Sequence, residues 1–279
     1  MTVNTVPKTR STPTSRNSPA EIFQRFQVIL APIICTAIVL FIWQVLFGGE
    51  TSKMPSPSKV AGQMAGSLPQ ILNPMEEGSI VNNILISLQR VGIGYSLAAL
   101  FGVVIGVLLG VSKFLRAGFD PMVQILRTIP PLAWLPLALA MFQENNAAAL
   151  FLIFITAIWP ILINTAVGVQ QIPQDYNNVA KVLRLSKFEY FVNILLPSTV
   201  PYIFTGLRIG IGLAWLAIVA AEMLKSDGGG IGFYIWDAYN AGNDDSMSQI
   251  ILAVFFVGLV GLALDRLVGW LGTLLASDH

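Results

Sequence analysis

Apolar runs close to 20 residues long recur along this chain from Val28 to Leu271, separated by short polar stretches. A helix of that length matches the hydrocarbon thickness of a bilayer. The pattern predicts an all-α, polytopic membrane protein with six transmembrane helices: Val28–Phe47, Ile84–Val111, Phe119–Phe142, Ala147–Val169, Thr199–Leu224 and Gln249–Leu271. The ten-residue alternating segments of a membrane β-barrel are absent. Residues 1–27, rich in Ser, Thr, Pro and basic side chains, read as a flexible tail ahead of a membrane domain spanning 28–279.

Two finer patterns lie inside the spans. The second carries a small residue at every fourth position (Gly94, Ala98, Gly102, Gly106 and Gly110), and the fifth repeats the theme with Gly206, Gly210, Ala214 and Gly212. Lipid tails are as apolar as leucine, so close backbone approach through small residues supplies the packing. The third span is punctured by Pro121, Pro130, Pro131 and Pro136. Each proline removes a backbone donor and bends a helix. Such backbone is tolerated at membrane depth where protein or a watery cavity satisfies it, so this span is expected to be kinked or to line a path.

Composition agrees: 54% of residues are hydrophobic and 11% charged, against about 25% charged in ordinary soluble chains. The net charge of +1 gives no reason to expect a nucleic-acid partner. Placement of charge says more. With both termini in the cytoplasm, inner segments hold Lys8, Arg10, Arg16, Arg25, Lys113, Arg116, Lys181, Arg184 and Lys187, and outer ones only Lys53, Lys59 and Lys225. That asymmetry follows the positive-inside rule. It predicts a multi-pass protein of the cytoplasmic (inner) membrane, in contact with membrane lipid. The outer loops then carry the acidic residues Glu50, Glu76, Glu77, Glu144, Asp227, Asp244 and Asp245 and read as connectors or as a docking surface.

Candidate chemistry is sparse. Cys35 is the only cysteine and His279, at the chain's end, the only histidine, which excludes an intrachain disulfide, a cysteine-rich metal site and most histidine-based hydrolysis. No phosphate-loop pattern occurs, and the GGGIG run at 228–232 lacks the strand-then-helix context of a dinucleotide fingerprint. No cofactor is expected on this chain. Charges at membrane depth remain. Arg90 and Glu222 fall near the same outer level and form a candidate structural ion pair. Arg127 and Arg208 lie about 12–14 Å from the inner face at 1.5 Å per residue, with no acidic residue at the same depth other than Asp120, two turns from Arg127. They are candidates to favour an anion, with Trp134, Asn164 and Trp215 as candidate neighbours on its path. Asp265, beside Arg266, reads as interfacial.

One polar segment interrupts the pattern. Gln174–Pro197 (QDYNNVAKVLRLSKFEYFVNILLP) reads as two short helices meeting near Ser186, with Lys181, Arg184 and Lys187 exposed to water. Its Ala180, Ile194, Leu196 and Pro197 resemble by spacing the EAA-loop signature of ATP-binding cassette importer permeases, with Asn178 and Val179 replacing Glu-Ala. Arg184 stands where that signature has glycine, so the turn is expected at Ser186–Lys187 instead. The stretches ISLQRVGIGYSLAALFGVVIGVLLG at 86–110, LRTIPPLAWLPLALAMF at 126–142 and GLRIGIGLAWLAIVAAEML at 206–224 are similar to the permease subfamily handling nitrate, bicarbonate, cyanate, taurine and alkanesulfonates. The cyanobacterial-type nitrate permeases, and after them the bicarbonate ones, are most alike.

The resemblance implies a type I ABC importer permease (MetI-like) fold and a permease subunit without its own ATPase site. It implies a small oxyanion, nitrate (or nitrite) first, with bicarbonate, cyanate or a sulfonate as the alternative. The implied partners are a second copy of the chain, two cytoplasmic ATPase subunits that use ATP, and a periplasmic or lipid-anchored solute-binding protein. The implied ATPase-coupling residues are Ala180, Lys181, Leu183, Arg184, Leu185, Ser186 and Lys187. An ATP-independent secondary transporter or channel is the competing class; it would show inverted repeats or membrane-depth carboxylates in series.

Overall fold

A computed structural model describes residues 19–276 apart from 50–51, 53, 66–67, 77 and 225–227. Every regular element among the described residues is helical, without strands. Two compact units are present, Met1–Lys59 and Val60–His279. The first contains helix α1 (Pro19–Phe47), which begins nine residues before the predicted span, so 19–27 is helix where tail was expected; residues 1–18 lie outside the described residues. Two short helices follow, α2 (Pro57–Ala65) and α3 (Leu68–Ile71).

The second unit is built around α7 (Asn145–Gln170), with α4 (Ile80–Val111) and α10 (Leu196–Met223) packed along it. The small-residue stripes explain that arrangement. A Cβ at Gly106 would lie 2.7 Å from the Leu162 carbonyl oxygen, and one at Gly110 would lie 2.5 Å from the Val169 Cβ. At Gly206 it would lie 2.8 Å from the Pro160 carbonyl oxygen. Both stripes therefore face the same helix of the same chain, and larger side chains would push it away. Gly212 departs from the expectation. It meets nothing within 4 Å, because it lies on the opposite side of α10 from α7.

Helix α4 is capped by Ser79, whose hydroxyl accepts the Asn82 N–H at 3.1 Å. It ends at Ser112, which in turn caps α5 (Lys113–Leu126) by accepting the Leu115 N–H. The predicted third span is two arms, not one helix. Helix α5 and the stretch Pro131–Phe142, a 3-10 turn (Pro131–Trp134) continued by α6 (Leu135–Phe142), meet at 97°. Pro130 and Pro131 supply no N–H across the break, and proline disfavours helical geometry at the residue before it. Five other helices are long and apolar enough to cross a membrane, so the bent pair brings the total to six.

On the far side of α7 the chain forms α8 (Gln174–Val182), α9 (Lys187–Tyr190) and a π-helical turn (Phe191–Leu195), which runs directly into α10. The result is one 37-residue helical rod, Lys187–Met223, about 55 Å long at 1.5 Å per residue. Helix α11 (Ile231–Ala241) and helix α12 (Ser246–Ala276) close the unit against α10.

Candidate functional site: a basic loop, a helical rod and a broken span

The loop at the Lys187 end of the rod is tightly built. Helix α8 ends in a Schellman motif: the Leu185 N–H donates to the Ala180 carbonyl at 3.0 Å and the Arg184 N–H to the Lys181 carbonyl at 3.2 Å. Arg184 takes the left-handed conformation this requires, with φ +51°. The turn is therefore made at Arg184, where glycine would be the easy choice, and the expectation of a turn at Ser186–Lys187 is corrected. Ser186 does something else. It caps α9 in a reciprocal box, accepting the Glu189 N–H at 3.2 Å while its own N–H donates to Glu189 Oε2 at 2.7 Å. The Tyr190 hydroxyl donates to Asn177 Oδ1 at 2.7 Å and ties α9 back to α8.

This folding gathers Lys181, Arg184 and Lys187 around a groove of about 750 Å³ floored by Ala180, Leu185 and Phe191, with no carboxylate in its lining. Ala180 is buried in the loop itself. Leu183 projects outward as expected, but Leu185 turns into the groove. Val182 and Phe188, 81% and 75% exposed, are the outward apolar knobs that the sequence pattern did not single out.

The other end of the rod is sealed. Arg90 Nη1 donates to Glu222 Oε1 at 2.7 Å and to the Gly229 carbonyl at 2.9 Å, Nη2 to the Gly228 carbonyl at 2.5 Å, and Nε to Asn146 Oδ1 at 3.1 Å. Glu222 is fully buried and also accepts the Ser87 hydroxyl at 2.7 Å and the Gly232 N–H at 3.2 Å. Asn83 and Ser87 accept the N–H groups of Gly230 and Ile231. Two charges and a glycine loop thus satisfy one another, tying α4, α7, α10 and α11 together. Buried charge is tolerable only with that degree of pairing.

Midway along the rod the expectations divide. Arg208 is not unpaired. Its Nε and Nη2 donate to both oxygens of Asp265 at 2.7 Å, a forked pair between α10 and α12. The rotational phase of the two helices overrides the proximity of Asp265 to Arg266. Trp215 does not line a path either. It is 2% exposed, packs against Gly261, and its ring N–H donates to the Val257 carbonyl at 3.0 Å. Asn164 spends its amide on the Pro160 carbonyl at 2.8 Å, facing Gly206. Arg127 and Trp134 do come together, lining a cavity of about 350 Å³ at the break of the third span. Thr128 and Leu213 join them, as does Trp159, a tryptophan of the proline-containing fourth span.

The match to known proteins follows the same part of the chain. Residues 100–276 match the family of binding-protein-dependent transport system inner membrane components. The chain belongs to that family. It is thus an inner-membrane component of a transport system, with several spanning helices. Over 259 residues this permease is 58% identical to the nitrate import permease protein NrtB of Synechococcus elongatus, covering 90% of this chain and 91% of that one. It is 48% identical to the bicarbonate transport system permease protein CmpB of the same organism, over 89% and 90% of the two chains. Among solved structures, the MetNI methionine ABC transporter in inward-facing form aligns with a TM-score of 0.52 at 20% identity, over 68% of this chain and 94% of its own. That likeness speaks to the fold, the permease fold of ABC importers.

Proposed function

We propose that this permease carries nitrate inward as part of an ATP-driven importer, with two copies of the chain forming the path. Two cytoplasmic ATPase subunits supply the energy and an external binding protein delivers the solute. The observation that carries the coupling reading is the continuity of Lys187–Met223. Lys187, Tyr190, Phe191 and Leu195 of the groove lining belong to the rod itself, so a pull on that side of the loop is carried along one continuous helix towards the middle of the membrane. Nitrate is chosen over bicarbonate because the nitrate-named relative is more similar, 58% against 48% at equal coverage.

In this reading the groove faces the cytoplasm. Val182, Leu183 and Phe188 seat in an apolar cleft of the ATPase, and Lys181, Arg184 and Lys187 meet its acidic rim. Closure of the ATPases on ATP draws the two loops together, rocks the rods and switches the path from inward- to outward-facing. Both termini then lie inside. Charge reversal at Arg184 and Lys187, assayed by co-purification with the ATPases and by ATP-dependent [15N]nitrate uptake into proteoliposomes, tests it. Loss of both is expected; retention of both contradicts the coupling role.

A further inference from the structure

We propose that the cavity at the break between α5 and the 3-10 turn is where the permeating anion touches this chain, and that Arg127 is the group that holds it. The inference deepens the oxyanion reading above and rests on it. Four arginines lie within the helical spans or at their break; Arg266 on α12 does not line this cavity, and the other three can be compared directly. Arg90 is satisfied by Glu222, Asn146 and two carbonyls, and Arg208 by both oxygens of Asp265. Arg127 makes no side-chain hydrogen bond or ion pair among the described residues, and no carboxylate lines its cavity.

A charge within a span costs about 2.5–3.5 kcal/mol even on permissive insertion scales and therefore marks a place where water or a ligand meets it. The backbone makes the same point. Arg127 closes α5 as its C-cap and the chain then leaves helical geometry through 128–130, with Pro130 and Pro131 lacking N–H groups; irregular backbone within a broken span is tolerated where it lines a cavity. Trp134 and Trp159 add two ring N–H donors that have no partner among the described residues. A fork of guanidinium N–H groups matches a flat anion with two oxygens in one plane, as Asp265 demonstrates on Arg208. The site thus fits a small planar oxyanion. Leu213 of the rod forms part of the wall, so movement of α10 alters the cavity directly.

The test uses the complete complex of permease, ATPases and binding protein in proteoliposomes, with [15N]nitrate and [14C]bicarbonate as probes. Removing a charged hydrogen-bond donor costs about 1.5–3 kcal/mol, roughly ten- to a hundredfold. Arg127→Gln is expected to lower uptake by at least about tenfold on that scale while co-purification with the ATPases and binding-protein-stimulated ATP hydrolysis persist. Arg127→Lys keeps the charge but not the fork and should raise the KM for the anion; Trp134→Phe should raise it less. Wild-type KM and rate in Arg127→Gln overturn the proposal. Should that variant fail to assemble, unchanged KM in both Arg127→Lys and Trp134→Phe overturns it instead. If the wild-type complex moves bicarbonate and not nitrate, the nitrate reading fails, and the same KM shifts measured with bicarbonate still support the site.

Discussion

The two ends of the Lys187–Met223 rod are finished in opposite ways. At the Glu222 end the described polar groups are paired inward: the carboxylate meets Arg90, Ser87 and the Gly232 N–H, and the glycine loop is pinned by Asn83 and Ser87. At the Lys187 end the local backbone is satisfied by a Schellman motif and a capping box, while three cations and three apolar side chains point outward. The first end resembles the interior of a domain. The second resembles half of an interface. A lever needs both, one end fixed to its own bundle and the other shaped for a partner.

The comparison breaks most decisively at Glu222. Glu222→Ala leaves Arg90 buried without its counter-charge and should cost about 3–5 kcal/mol, read as a large drop in the melting temperature of the purified permease. The swap Arg90→Glu with Glu222→Arg should fail to restore it, because a carboxylate at position 90 would face the carbonyls of Gly228 and Gly229. Full rescue by the swap would reduce the knot to a simple ion pair. Gly232→Ala comes next. Its Cβ would lie 2.0 Å from the Val219 carbonyl oxygen, and overpacking of this kind costs about 1–3 kcal/mol. A melting temperature equal to wild type would show that the loop adjusts freely.

Changes at the loop should be gentler on the fold and harsher on assembly. Ser186→Ala removes the cap of α9, worth about 0.5–2 kcal/mol. It should weaken ATPase co-purification more than it lowers the melting temperature; the reverse order would place the cap's role in folding. Arg184→Gly should act in the opposite direction on the fold. It relieves a left-handed conformation that costs an ordinary residue about 1–2 kcal/mol. The loop should therefore hold its shape with one charge fewer, which thermal melting and the salt dependence of co-purification can separate.

Much of this was legible in the chain. Spans, the small-residue stripes and the basic segment follow from period and composition, and the Arg90–Glu222 pairing followed from depth alone. Depth did not suffice elsewhere. Asp265 reaches Arg208 because α10 and α12 present those two residues to each other, a matter of rotational phase set by packing. Trp215 turned toward α12 for the same reason, and Gly212 away from α7. The right-angled break after α5 was announced by its prolines, but its angle was not, since proline permits several bends. Arg184 is the instructive case: the neighbouring hydrogen bonds force the turn onto a residue whose type argues against it.

Hydrogen exchange on the permease, alone and with its ATPases, tests the contrast between the two ends most directly. The amides of Gly230 and Ile231, bonded to Asn83 and Ser87, should exchange slowly in both states. Those of residues 174–187 should exchange fast alone and slow down when the ATPases bind, and change again on adding ATP. Equal protection at the two ends, or an ATP response confined to the glycine loop, would contradict a rod anchored at one end and driven from the other.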